Sequence, residues 1–158
     1  MNKEITIITG ASSGIGREVA LAYAADNQHL ILAALGKEAL EEIAALCREK
    51  GSTTTCIEFD LSNANDVQKM TDQVTAKYNN IDRLIHISGI SQRAKAEDTS
   101  VEVDRRIMEI NYFGAVTLTK TLLPLLKVGN GGRIGVASSI SGKFGFPLRS
   151  AYAASKFA

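Results

Sequence analysis

Short apolar runs alternate along the chain with stretches in which apolar residues return at every third or fourth place. Ile5, Ile7 and Ile8 make a β-branched run that stops at Thr9-Gly10, which predicts a strand entering a glycine-rich loop. Ile15, Val19, Ala22 and Tyr23 then recur at helical spacing, and a second run from His29 to Ala33 has the length of a strand. Leu40, Ile43 and Cys47 mark the next helix, with Gly51 placed just past its end as a C′ residue. A third strand is expected around Thr54 to Phe59, a third helix along Val67, Met70, Val74 and Tyr78, and a fourth strand over Leu84, Ile85 and Ile87. A long helix is expected from Thr99 toward Lys127. Thr99 and Glu102 have the spacing of a capping box, Ile107, Ile110 and Val116 continue the apolar face, and Pro124 is placed to disturb the last turn. Ile134 and Val136 supply a fifth strand.

Strands alternating with helices at this pitch predict an α/β fold, a doubly wound parallel sheet in three α/β/α layers, with ligands bound beyond the carboxyl ends of the strands. A length of 158 residues suits one domain spanning 1–158. Eighteen basic and seventeen acidic residues leave a formal charge of +1, so no net field draws the chain to nucleic acid or to an anionic membrane. The longest apolar runs, such as Leu30 to Leu35, fall far short of the ~20 residues of a spanning helix. A cytoplasmic, soluble protein is expected. Cys47 and Cys56 lack the paired spacing of a zinc or redox motif and are expected as free, partly buried thiols; no metal site is expected.

Two features carry candidate chemistry. Thr9-Gly10-Ala11-Ser12-Ser13-Gly14-Ile15-Gly16 sits where the first strand turns into its helix. Glycines there permit a tight turn and close approach to a pyrophosphate, and the helix N-terminus offers N–H groups and a positive dipole end. Tyr152 and Lys156 are four apart on one helical face, Ser139 stands thirteen residues before Tyr152 at the end of the fifth strand, and Asn111 lies within the long helix. Alone, the loop is also compatible with an ordinary turn, and the Tyr–Lys pair with a solvated surface pair. A free phenol titrating near about 10 is a weak acid at neutral pH. The Lys156 ammonium is placed to stabilise a phenolate by charge.

The TGxxxGIG form of the loop, followed in order by Asn111, Ser139, Tyr152 and Lys156, resembles the short-chain dehydrogenase/reductase family over essentially the whole chain. Around Ser141 to Leu148 it is similar to the hydroxysteroid-dehydrogenase-like branch. The resemblance implies a Rossmann fold with strand order 3-2-1-4-5, and an NAD(P)-dependent oxidoreductase that passes a hydride between the dinucleotide and a ketone or secondary alcohol. It implies that Tyr152 is the acid/base, that Lys156 supports it and holds the nicotinamide ribose, that Ser139 hydrogen-bonds the substrate oxygen, and that Asn111 holds a water linking the lysine to solvent. The cofactor contacts it implies are Gly10, Ser12, Ser13, Gly14, Ile15 and Gly16 in the loop, Leu35 after the second strand, Asp60 at the adenine with Leu61, Ser88 and Gly89 after the fourth strand, and Tyr152 and Lys156 themselves. A homodimer or homotetramer paired through the long helix and the one after it is also implied.

The chain departs from the family pattern in three places. His86-Ile87-Ser88-Gly89 replaces Asn-Asn-Ala-Gly and keeps only the glycine; His86 is expected either to replace the asparagine hydrogen bond or to be a satisfied core histidine, and not to be a base. Ala34 and Leu35 occupy the positions where relatives carry an acid for NAD or a base for NADP. With no repelling carboxylate there, and with Ser12, Ser13, Arg17 and Lys37 nearby, NADP is favoured and NAD remains possible. The chain stops at Ala158, two residues past Lys156, whereas family members continue. An incomplete C-terminus is expected, with the last strands missing and the fifth strand left as an exposed edge. Phe144, Phe146 and Leu148 suggest an apolar small-molecule substrate. Alternatives are a dinucleotide-binding protein without turnover or an inactive fragment, and a structural or sensing partner that uses the helix from Thr99 to Lys127 as its interface.

Overall fold

The computed structural model describes residues 3–128 and 131–158. Five strands, β1 (Glu4–Thr9), β2 (Gln28–Ala34), β3 (Thr53–Glu58), β4 (Arg83–His86) and β5 (Arg133–Val136), form one parallel sheet in the order β3-β2-β1-β4-β5. The order matches the expectation, with β5 on an edge. Successive residues of each inner strand point to opposite layers. Ile7, Ile31 and Leu84 pack with Val67, Met70 and Val74 of α3 (Ala64–Lys77) and with Leu118, Leu122 and Leu126 of α5 (Ala115–Leu126). Ile8, Leu30 and Leu32 pack on the other side with Ala20 of α1 (Gly14–Tyr23) and with Leu40, Ile43 and Ala44 of α2 (Lys37–Glu49). Burial on both faces is why these strands read as continuous apolar runs.

Local chemistry sets the element ends. Gly51 closes α2 at φ 95°, donating its N–H to the Arg48 carbonyl at 2.9 Å. Asn63 caps α3, its Oδ1 accepting from Asn65 N at 3.0 Å and Asp66 N at 3.4 Å. The fourth strand ends one residue before the expected Ile87, because Ile87 N and Ser88 N donate to Thr9 Oγ1, at 3.2 and 3.3 Å. Gly16 and Ala20 are the buried residues of α1 and the expected Val19 and Tyr23 pack beside them half-buried, whereas the expected Ile15 and Ala22 are exposed. A Cβ on Gly16 would collide with the Gly10 carbonyl, so only a residue without a side chain brings this helix so close to the turn after β1.

The long helix is not one regular helix. α4 (Val101–Met108) and α5 are joined by a wider π turn over Glu109–Gly114. Ser100, rather than Thr99, stands at the N-cap position; the Thr99 hydroxyl instead donates to the Lys95 carbonyl at 2.8 Å, beside a short 3₁₀ turn at Ala96–Asp98. Pro124 lies inside the last turn of α5, which ends two residues later at Leu126. The last helix, α6 (Ser150–Phe157), packs against α4 and the π turn. Cys47 and Cys56 are free thiols, and burial pushes both up, Cys56 to about 11. No helix among the described residues is long and apolar enough to cross a membrane.

Candidate active site

The carboxyl ends of β1 to β4 open on one cavity of about 350 Å³. It lies where β1 has β2 on one side and β4 on the other, the switch point at which doubly wound sheets bind ligands. Ser12, Ser13, Gly14, Ile15 and Gly16 border it from the start of α1, beside Gly10. Ser13, at the N-cap position, makes no side-chain bond to the helix, which leaves the first N–H groups of α1 available to a ligand. Gly10 has φ 69°, and a Cβ there would lie 2.9 Å from Ser88 N, so the turn after β1 and the loop after β4 meet backbone to backbone. Leu35, Asp60, Leu61, Ser88 and Gly89 also line it, whereas the expected contacts Tyr152 and Lys156 are not among its lining residues. Asp60 Oδ1 accepts from both N and Oγ of Ser62, at 2.8 and 2.7 Å, and these bonds hold its carboxyl below the usual carboxylate range.

Of the four expected catalytic positions, Asn111 and Lys156 meet beside Gly89, and the Tyr152 ring lies near Lys156. Lys156 Nζ donates to the Ala137 carbonyl at 2.9 Å and lies 5.8 Å from the centre of the Tyr152 ring. The Arg149 guanidinium lies 5.9 Å from the same ring. Ser139 follows β5 and opens a 3₁₀ turn at Ile140–Gly142, its Oγ accepting from Ser141 N at 3.1 Å. Gly142 packs directly on the backbone of Lys156, which seats this turn under α6. Asn111 occupies the π turn. Its Oδ1 accepts from Ile90 N at 2.8 Å, and its Nδ2 donates to the Ile90 carbonyl and to Ser155 Oγ, both at 2.9 Å. Ser155 Oγ in turn donates to the Tyr152 carbonyl at 2.8 Å. A Cβ on Gly89 would lie 3.2 Å from Asn111 Oδ1 and 3.9 Å from Lys156 Nζ, so amide and ammonium border one small space.

His86 is 4% exposed, its Nε2 is 2.8 Å from Thr119 Oγ1 on α5, and its Nδ1 has no partner among the described residues. Burial pushes its pKa down to about 4. The ring does make one bond of the kind expected of an asparagine, but it is only half satisfied. Sequence reasoning missed Thr9, which pins the β4 loop, and Ile90 and Ser155, which hold Asn111. It also missed the clasp at the start of α6, where Arg149 donates to the Gln92 carbonyl at 3.0 Å and Gln92 Oε1 accepts from Tyr152 N at 3.4 Å. A threonine ending an apolar strand was the one available signal; the other partners depend on folding.

The sequence profile described as short chain dehydrogenase matches residues 4–158. The chain is 42% identical over 160 residues to dehydrogenase/reductase SDR family member 7B of Bos taurus, covering 98% of this chain and 49% of the relative. It is 40% identical over 159 residues to dehydrogenase/reductase SDR family protein 7-like of Drosophila melanogaster, again covering 98% and 49%. The chain thus spans about half the length of the curated relatives it matches. Among solved structures, it resembles a short chain dehydrogenase of Escherichia coli CFT073 complexed with NADPH at TM-score 0.91 and 32% identity, covering 100% of this chain and 68% of that one. It resembles an alcohol dehydrogenase of the archaeon Thermococcus sibiricus complexed with 5-hydroxy-NADP at TM-score 0.93 and 30% identity, covering 99% and 67%.

Proposed function

The chain belongs to the short chain dehydrogenase family, and from that premise we propose that it forms the cofactor-binding part of an NADP(H)-dependent oxidoreductase acting on a ketone or secondary alcohol. The observation that carries this reading is the position of Gly89, which lines the cavity at the strand ends and faces both Asn111 Oδ1 and Lys156 Nζ. On this reading the dinucleotide groove ends toward the Lys156 ammonium, which lies 5.8 Å from the centre of the Tyr152 ring. The relatives complexed with NADPH and with 5-hydroxy-NADP support the choice of cofactor.

The dinucleotide, when bound, supplies or accepts the hydride. Gly10 and the start of α1 cradle its pyrophosphate by close backbone approach and free N–H groups. Lys156 spends one of its three donors on the Ala137 carbonyl, which orients the ammonium and leaves two N–H bonds for a ribose hydroxyl and for stabilising the Tyr152 phenolate. Tyr152 passes a proton to the substrate oxygen, and the Ser139 hydroxyl donates to the same oxygen. Both N–H bonds of the Asn111 amide are committed, so a water held there donates to the remaining Oδ1 lone pair. Phe144, Phe146 and Leu148, exposed between Ser139 and α6, favour an apolar substrate. Val101, Val103 and Phe113, exposed along the long helix, favour a homo-oligomer.

Titration of the intact protein with NADPH and NADH, followed by initial rates of NADPH oxidation with a panel of ketones, tests the reading. Saturable binding and turnover of at least one apolar ketone are expected. No saturable binding of either dinucleotide would overturn it.

A further inference from the structure

The second strand ends in Ala34-Leu35 and carries neither acid nor base where the adenosine ribose of a dinucleotide arrives. The third strand brings a carboxylate to the same place. Glu58, the last residue of β3, stands in register with Ala34, the last residue of β2. Its Oε1 accepts from Gly36 N at 3.1 Å and from Lys37 N at 3.3 Å, the N–H groups at the opening of α2. Leu35, Phe59 and Asp60 line both the dinucleotide cavity and an adjoining one of about 340 Å³ that Glu58 borders. Glu58 is exposed, and no lysine or arginine forms an ion pair with it among the described residues.

We propose that Glu58, reaching across from β3, is a specificity-determining residue for the adenosine ribose and supplies the acid that β2 lacks. The inference rests on the dinucleotide reading of the cavity. A carboxylate accepts a hydrogen bond from a 2′-hydroxyl and repels a 2′-phosphate. It also occupies two backbone donors that a phosphate at this helix opening would otherwise use. Both effects act in one direction: Glu58 lowers the affinity for NADPH relative to NADH, and the preference for NADP that an uncharged β2 end permits is held in check.

The test is the ratio of Kd for NADPH to Kd for NADH, by fluorescence titration of the intact protein at low and high salt. Glu58→Gln is expected to lower this ratio by about tenfold or more at low salt and by less at high salt, since the lost term is charge repulsion. Glu58→Ala, which also vacates the Gly36 and Lys37 N–H groups, is expected to lower it at least as far. Glu38→Gln removes one charge from the first turn of the same helix without touching those groups, and is expected to change the ratio by less than about threefold. A ratio unchanged within about twofold in Glu58→Gln, with both dinucleotides still bound, overturns the role of Glu58 alone. An equal shift in Glu38→Gln also overturns it, by showing that position does not matter. Absence of saturable binding of both dinucleotides to the unaltered protein overturns the cavity reading and this inference together.

Discussion

Asn111 donates through Nδ2 to Ser155 Oγ at 2.9 Å, which ties the π turn of the long helix to the helix that carries Tyr152 and Lys156. The same amide exchanges two bonds with the backbone of Ile90, so one side chain joins three segments of the site.

Asn111→Ala removes all three bonds and leaves the half-buried Ile90 N–H and carbonyl without their protein partners. It should destabilise the fold by about 1–3 kcal/mol and lower turnover at least about tenfold, whereas Ser155→Ala, which loses the link to α6 alone, should do less of both. Urea midpoints and initial rates on the same preparations check the order. Equal effects of the two substitutions would mean that the bonds to Ile90 contribute nothing.

Tyr152→Phe deletes one hydroxyl and keeps the ring that lies near both Lys156 and Arg149. Turnover should fall by at least about 100-fold with dinucleotide affinity nearly intact, while Lys156→Ala should weaken both. Rates of cofactor oxidation with an accepted ketone, beside a separate titration of each variant, measure the split. Near-normal turnover in Tyr152→Phe would remove Tyr152 from the chemistry.

His86 gives the fold a defined sensitivity to acid. Its ordinary value is 6.5 and burial pushes it to about 4. Below 6.5 the unfolded chain takes up a proton that the folded chain refuses until about 4. The contribution of the neutral ring is therefore complete above 6.5, declines as pH falls, and is gone near 4. The unaltered protein should lose roughly 3 kcal/mol more than His86→Asn between pH 7 and pH 4. Urea midpoints of the two proteins across that range test this; parallel curves would show that the ring titrates normally in the fold.

The two glycines at the start of α1 should differ in what they tolerate. Gly14 has φ 51° with no atom within 4 Å of an added Cβ, so Gly14→Ala should cost only the left-handed strain of about 1–2 kcal/mol. Gly16 lies against the Gly10 carbonyl, and Gly16→Ala must push the helix off the turn, for a loss of about 3 kcal/mol or more. Chemical denaturation of both variants decides between this and a merely flexible loop, which would make them equal.

The order and type of elements were legible because both faces of the sheet are buried, so its strands read as apolar runs between helical stripes. Gly51 was legible as a cap because the left-handed region favours a residue without Cβ. Ile15 was misplaced because the periodic signal weighs large apolar residues, whereas the close face of α1 is made by small ones. The end of β4 depends on the Thr9 hydroxyl, 78 residues from Ile87, and Glu58 on a register between β2 and β3. Neither is a local property. The glycine loop and the spacing of Tyr152 and Lys156 carried the candidate site from the sequence, but most of the bonds that orient Asn111 and Lys156 come from backbone groups of Ile90 and Ala137, which any residue other than proline supplies.

The π turn makes the site depend on an exact residue count. The buried positions Ile110, Gly114, Leu118, Leu122 and Leu126 recur at intervals of four. In an unbroken α-helix each such step would drift by roughly 40°, and the wider turn at Glu109–Gly114 absorbs part of that drift. Deleting one residue there would close the wide turn into an ordinary α-helix and leave the helices on either side nearly in register, because five steps at the wider spacing turn through about as much as four at about 100°. The loss would fall on Asn111, which stands within the turn and reaches Ile90 from it, while Leu118 would keep its place in the core. The extra residue in this stretch of helix serves the site and not the packing beneath it.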